Sequence, residues 1–440
     1  MPSWAAVLDL VRAISARRVE PAHRLLLGRL VMYTGIAALF PVVPLYVRAH
    51  GGSAADVALF VAGPMVAATL VQIPAGHLVD RVGRKPILVW STVVYAALCG
   101  GLFLNWGPLW LLAVWRAGQG AAGGAYGPAL RAALADLTPA GRRGHRYAQL
   151  QACEMVGLLV GPAIGGAIAL WRYSGIFAAT GVAVLLSLAA LTGLPETRGM
   201  DTAPEPVGQA GSASAPDVPA GSGPEQVPDR SAAPPGGWWV HVPLLVPAVT
   251  LAAIGALFSM YDVVWPQYLL VRGYDTLVIG LSISIFAVPI LALAGAGGRL
   301  SDRSNRRVLV PVGLVVVAGC AATYPALRNI FPILAVGLVE ASAFVVLEPT
   351  LFAVISDWAA PSLRGRAMGA GGFFYGGGSA LGAGVLGALY GIGEPLPFLA
   401  GAAGCLVVAV VCAYALPRRA PHPELPHEHL VAVPADAEMV

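Results

Sequence analysis

Charge is what this sequence has least of. Asp, Glu, Lys and Arg make up 11% of its 440 residues, against 57% hydrophobic residues. Soluble domains carry roughly 25% charged residues, and a surface this poor in charge could not be kept wet. The five cysteines (Cys99, Cys153, Cys320, Cys405, Cys412) all fall in apolar stretches, and their spacing fits neither a metal site nor a disulfide framework. No cleavable signal peptide is expected, because residues 1–24 hold several arginines but no apolar stretch ending in a cleavage site. Nucleophile–base pairs, metal-ligand spacings and nucleotide loops are also missing, and the glycine run at 371–378 follows no strand. These gaps argue against an enzyme, a cofactor, a metal site and a nucleic-acid partner.

What is present is a series of apolar segments separated by short polar turns. A bilayer core needs about 20 apolar residues per helical span. The pattern predicts an all-α membrane protein with twelve helices, near 25–48, 54–76, 87–105, 108–133, 147–170, 175–194, 243–270, 277–298, 308–326, 330–355, 366–390 and 396–416. Abundant Gly (54) and Pro (36) suit membrane helices. With both termini cytoplasmic, 22 of the 27 basic residues, Arg29 included, fall on the inner side. Only Arg48, Arg172, Arg272 and Arg328 fall outside, and Arg116 lies within a span. This bias sets the expected orientation. The segment 1–24 is read as a cytoplasmic lead-in, 25–195 and 243–417 as two six-helix bundles, and 196–242 as a flexible linker rich in Pro, Gly, Ser and Ala. Residues 418–440 are read as a disordered tail, whose His422, His427 and His429 are weak metal candidates.

The halves align at an offset of 221–222 residues. Pro44 and Tyr46 match Pro266 and Tyr268; Asp80 and Arg81 match Asp302 and Arg303; Pro128 and Asp136 match Pro349 and Asp357; Gly157 and Gly161 match Gly378 and Gly382. An even number of spans per half makes the repeats parallel, related by an axis along the membrane normal.

The stretch Gly76-His77-Leu78-Val79-Asp80-Arg81-Val82-Gly83-Arg84-Lys85 reads as a short charged turn between two spans, with a degraded copy at Gly298–Arg307. It resembles the Gly-x-Leu-x-Asp-Arg-x-Gly-Arg-Lys signature of the major facilitator superfamily, and the likeness covers both halves. The resemblance implies a latch between the halves. Asp80 would face the start of the eleventh helix near Leu363–Gly365, and Arg84 would pair with Asp136. A carboxylate near a helix N-terminus gains about 0.3–1 kcal/mol. In the second copy, Asp302 and Arg303 precede Ser304-Asn305 in place of the glycine turn, which implies a weaker latch.

A second signature lies in the fifth span, where Gly157, Gly161 and Gly165 recur every fourth position beside Pro162 and Gly166. Such a stripe lets two helices approach closely, and Pro162 removes a backbone donor. Gly-x-x-x-Gly-Pro-x-x-Gly-Gly resembles the motif of drug:proton antiporters within the superfamily. The second half has Ala383 where the proline would be, the asymmetry that pattern shows.

Ionisable residues within spans are functional candidates by default. Arg116 sits in the fourth span, in a motif that resembles one tied to proton coupling in the family; its alternative role is to hold that helix by bonding backbone carbonyls. The intramembrane acids are Asp262, Glu340, Glu348 and Glu154, ranked in that order as proton carriers. The first span has no acid, unlike antiporters that use a first-span aspartate. Tyr33, Gln119, Tyr126, Phe258, Tyr261, Trp265 and Phe344 are candidate cavity residues, together with Phe373 and Phe374.

The expected function is proton-coupled efflux of hydrophobic or cationic small molecules across a bacterial inner membrane, by a monomer whose halves rock about a central site. The proton gradient would drive it without a cofactor, and its partners would be the small molecule, protons and the lipid bilayer. Two alternatives stand beside it. One is import of a sugar, organic acid or siderophore on the same fold. The other is a non-transporting membrane sensor or scaffold.

Overall fold

The computed structural model describes residues 20–139, 142–191, 194–196, 242–358 and 364–416. Their order of helices is α1 Pro21–Ala37, α2 Val43–Ala49, α3 Ala54–Val82, α4 Arg84–Phe103, α5 Leu109–Asp136, α6 Arg143–Ala169 and α7 Gly175–Leu191, then α8 Val242–Val263, α9 Trp265–Val271, α10 Thr276–Arg303, α11 Arg306–Thr323, α12 Ile330–Trp358, α13 Arg364–Ile392 and α14 Leu396–Ala415. The expected linker core at 197–241 and the tail from 417 onward lie outside the described residues.

Two expected spans are broken rods. The first divides into α1 and α2 at Ala38–Val42, and the seventh divides into α8 and α9 at Val264. Prolines cause both breaks: Pro41 and Pro44 at the first, Pro266 at the second, each lacking the N–H a continuous helix needs. With each broken rod taken once, the described helices form twelve rods. Nine helical stretches are long and apolar enough to cross a membrane by length and composition. The other three rods fall short for visible reasons: α1 and α2 are interrupted, α5 carries Arg116 and many small residues, and α7 has only 17 residues.

The charged motif is not a turn, as the sequence suggested. Helix α3 runs on through Val82, and the chain reverses at Gly83 alone, whose φ is +115°. Charged residues beyond a hydrocarbon layer stay helical until the backbone is forced out of the helix. Glycine occupies that conformation at no steric cost. The second copy turns differently. Helix α10 reaches Arg303, and Asn305 caps α11 by accepting from Arg307 N–H at 3.1 Å.

The duplication is legible in the turns and the packing. Gly51 (φ +75°) and Gly273 (φ +84°) stand 222 residues apart, and two residues after each a side chain caps the next helix. Ser53 and Asp56 form a capping box on α3, and Asp275 accepts from Val278 N–H at 2.8 Å on α10. Helix α1 packs on α6 and α7 as α8 packs on α13 and α14; α5 packs on α3 and α4 as α12 packs on α10 and α11. The halves meet through α3 against α13 and α6 against α10.

The halves are held together at one end, that of the Gly51 and Gly273 turns. Arg48 Nε donates to Gln267 Oε1 at 2.7 Å, Thr276 Oγ1 donates to the Gly166 carbonyl at 2.8 Å, and Ala163 N–H donates to Ser284 Oγ at 3.1 Å. These three hydrogen bonds join the halves at that end. Glu348, eight positions beyond Glu340 toward the Pro21 end, is exposed.

Candidate transport site

The site lies between the halves, and each half contributes a chemically different wall. In the N-terminal half, α1, α2, α3, α4 and α5 surround a cavity of about 260 Å³. Its polar lining comes from Arg29, Tyr33, Tyr95, Arg116 and Gln119, with Asp262 reaching in from α8. In the C-terminal half, α8, α10 and α12 enclose a smaller cavity of about 60 Å³, lined mainly by aromatic and aliphatic side chains with Tyr261, Asp262 and Glu340 among them. Phe40 and Asp262 line both cavities. A drug-sized ligand needs roughly 300 Å³ or more, so neither cavity holds one alone; displacing Phe40 would join them.

Arg29 was counted above among the topology-setting arginines; the structure places it on α1 at the cavity wall. Its Nε donates to Glu154 Oε1 at 2.8 Å, and its guanidinium lies 4.9 Å from the Tyr33 ring centroid and 5.8 Å from that of Tyr126. Both ends of the ion pair are largely enclosed, at 16% and 17% exposure. Glu154, read as a proton-carrier candidate, is therefore bound to a cation. Tyr126 is buried behind Arg29 and does not line either cavity.

Arg116 is matched less completely. Its Nη1 donates to Gln119 Oε1 at 2.9 Å, while its buried Nε has no partner. Gln119 is fully buried and donates onward to Cys99 Sγ at 2.9 Å. The backbone carbonyls that the alternative role required are not among the bonds Arg116 makes in the described residues.

Glu340 occupies the position 221 residues after Gln119, and it is 1% exposed. Its Oε2 accepts from Tyr324 O–H at 2.7 Å, and its Oε1 and the Tyr261 hydroxyl are buried without hydrogen bonds. Asp262 makes no hydrogen bond or ion pair with the described residues. Glu340 and Asp262 are thus two carboxyl groups without a directly bound cation among the described residues, Asp262 standing where the two cavities meet. Phe258 and Phe344 meet edge-on, with ring centroids 6.2 Å apart, on the wall of the C-terminal cavity. Trp265 does not line the cavity. It is fully buried, donates from Nε1 to Ser282 Oγ at 2.9 Å, and packs against Tyr268, Phe286 and Tyr324. Phe373 is exposed on α13.

The glycine stripe seats α6 on α1. A Cβ at Gly161 would stand 2.5 Å from the Thr34 carbonyl oxygen, and one at Gly165 would stand 2.0 Å from that of Ala38. The next turn faces the other half: a Cβ at Gly166 would meet the Thr276 carbonyl at 2.2 Å, and one at Gly280 would meet the Pro162 carbonyl at 2.2 Å. The motif therefore packs both within its half and across the closed end.

At the charged motif, Arg84 Nε donates to Asp136 Oδ2 at 3.0 Å. Glu196 caps α4 by accepting from Arg84 N–H at 2.9 Å and Lys85 N–H at 3.1 Å. Gly76 and Arg81 lie on the last turns of α3, Arg81 exposed. The expected partner of Asp80, near Leu363–Gly365, is the start of α13 at Arg364, but the Asp80 side chain, Leu363, and the side chains of Arg364, Asp302 and Arg303 lie outside the described residues.

Comparison with known proteins places this geometry in a family. The family model described as Major Facilitator Superfamily matches residues 25–288 and 248–435. The chain belongs to that superfamily. It is 30% identical over 170 residues to the "Multi-drug resistance efflux pump PmrA homolog" of Lactococcus lactis subsp. lactis, covering 38% of this chain and 41% of that protein. It is 24% identical over 139 residues to the "Quinolone resistance protein NorA" of Staphylococcus aureus, covering 32% of this chain and 36% of that one. The chain thus matches less than half the length of these curated relatives. Among solved structures, it is similar to a nucleoside transporter (TM-score 0.71, 12% identity, 90% of this chain and 98% of that one) and to a D-xylose-proton symporter (TM-score 0.69, 17% identity, 94% and 99%). At these identities the likeness is one of fold. The all-helical membrane architecture and membership among transporters, which are not enzymes, follow.

Proposed function

We propose that this protein is a proton-coupled exporter of hydrophobic or cationic small molecules, working by alternating access in a bacterial inner membrane with both termini cytoplasmic. The observation that carries the reading is the pair of carboxyl groups, Asp262 and Glu340, lining an aromatic cavity between two halves that are hydrogen-bonded at the end of the Gly51 and Gly273 turns. In the proposed orientation the closed end faces outward, and this is the inward-facing state. Cargo enters from the cytoplasmic side, and a proton leaves the carboxyl group it displaces. The halves then rock, exposing the site outward for release and reprotonation. A membrane potential supplies about 2.3 kcal/mol per charge per 100 mV. The partial likeness to two proteins named for drug resistance supports the direction, as does the Gly157–Gly166 motif. The proton gradient is the energy source, no cofactor takes part, and one chain suffices.

A proton-coupled importer is the second reading. It is favoured by the polar N-terminal cavity, where Arg29, Arg116 and Gln119 suit a hydrophilic solute.

The deciding experiment uses everted membrane vesicles with an acidic lumen and a fluorescent pH probe. Lipophilic cations and neutral drugs should raise lumenal pH, and Asp262→Asn or Glu340→Gln should abolish that response. Silence across the panel with folded protein would sink the exporter reading, and proton-driven uptake of a sugar or acid by right-side-out vesicles would establish the importer.

A further inference from the structure

The unpaired charges of the site have opposite signs and share one cavity. Arg29 is neutralised by Glu154 at 2.7 Å. That leaves Arg116, whose partners Gln119 and Tyr95 are neutral, and Asp262, hydrogen-bonded to no described residue, on the same N-terminal cavity wall. Asp262 also opens onto the C-terminal cavity, where Phe258 and Phe344 stand.

Such a site penalises a cargo of one sign. A lipophilic cation would satisfy Asp262 but bring its charge into the cavity of a second, unmatched cation. An anion would satisfy Arg116 and face the carboxylate. Burying either charge without a partner is costly. A molecule with both signs leaves neither group stripped of water and unpaired, and an Arg–carboxylate contact is among the stronger hydrogen-bonding pairs.

We infer that the preferred cargo is an amphipathic zwitterion, its carboxylate held by Arg116, its ammonium by Asp262, and its aromatic body between Phe258 and Phe344 in the C-terminal cavity. The order of the groups along the site puts both charges at one end of the molecule and the ring system at the other, as in an aromatic amino acid. This assignment rests on reading the two cavities as the transport site.

The test measures binding, which is independent of transport direction. Purified full-length protein in nanodiscs is titrated calorimetrically with naphthylalanine, its methyl ester (a cation) and its N-acetyl derivative (an anion). The zwitterion should bind at least about tenfold more tightly than either derivative, the scale of one charged hydrogen bond. Arg116→Gln should erase the preference over the ester, and Arg116→Lys should restore part of it. Asp262→Asn should erase the preference over the N-acetyl derivative. A merely structural Arg116 would weaken all three ligands alike and leave the ratio unchanged. That outcome overturns the inference, as does an ester that binds as tightly as the zwitterion, or the absence of binding by all three. Proton-coupled efflux of lipophilic cations with no zwitterion preference would remove this inference and leave the exporter reading intact. Zwitterion preference with inward transport would do the reverse.

Discussion

The two halves share a backbone plan but not a chemistry. At the same place in the repeat, the N-terminal half has the neutral Gln119 and the C-terminal half has Glu340. Arg116 is answered in the second half by Gly337, where a Cβ would stand 2.0 Å from Phe286. The N-terminal cavity is polar and holds the cations, and the C-terminal one is aromatic and holds the acids. Duplication explains the shared packing. The divergence falls at the centre, where the two walls face each other. Walls of opposite chemistry can offer a cargo and a proton different groups. Two identical walls would have offered each the same groups.

The largest expected effect comes from exchanging the mirrored pair. Glu340→Gln should abolish substrate-triggered proton movement in vesicles, while Gln119→Leu should leave it in place and alter only cargo affinity. Equal loss in both variants would erase the division of labour between the halves. Next is the ion pair that neutralises one wall. Arg29→Gln leaves Glu154 enclosed without its cation, a change worth about 3 kcal/mol. Thermal unfolding in detergent should show a clear drop, and the double variant with Glu154→Gln should recover most of it. A single variant as stable as the parent would mean the pair is solvated.

A smaller effect is expected where the halves touch. Gly166→Ala puts a methyl group 2.2 Å from the Thr276 carbonyl, which should cost the closed end about 1–3 kcal/mol. Cross-linking between cysteines placed at 48 and 267 should fall accordingly, whereas Gly127→Ala, with only the tip of Arg131 nearby at 3.7 Å, should leave it unchanged. The smallest effect belongs to the edge of the N-terminal half. Arg146 hydrogen-bonds Glu20 at 2.7 Å and holds its carboxyl below the ordinary value of 4.5. The stabilisation is present above pH 4.5 and is lost as pH falls through the lowered value. Glu20 is half exposed, so the contribution should stay under about 1 kcal/mol. Acid titration of thermal stability should show that small difference from Glu20→Gln above pH 4.5, and its disappearance as pH falls below the lowered value.

The helical rods, the duplication and the superfamily were legible in the sequence because bilayers impose length and apolarity directly. The charged residues inside those rods were legible too, since each is rare. Their partners were not. Arg29 was counted with the inner-side arginines, and only the approach of α6 to α1 showed that it pairs with Glu154. Trp265 looked like a wall residue beside Asp262, but the break at Val264 turns it into the interior of the C-terminal half. Gly83 carried the reversal expected of a whole motif, because the other nine residues, read as part of a turn, are helical.

The sequence by itself determined where the chain crosses an apolar layer, that it does so twice over in the same order, and which few ionisable groups it takes there. Composition and period suffice for that, because each rod satisfies its own backbone hydrogen bonds. Which groups neutralise each other, which face an open cavity, and which end of the molecule is closed were decided by tertiary structure alone. Those properties depend on distances between rods that are far apart in the chain, and no local pattern encodes them.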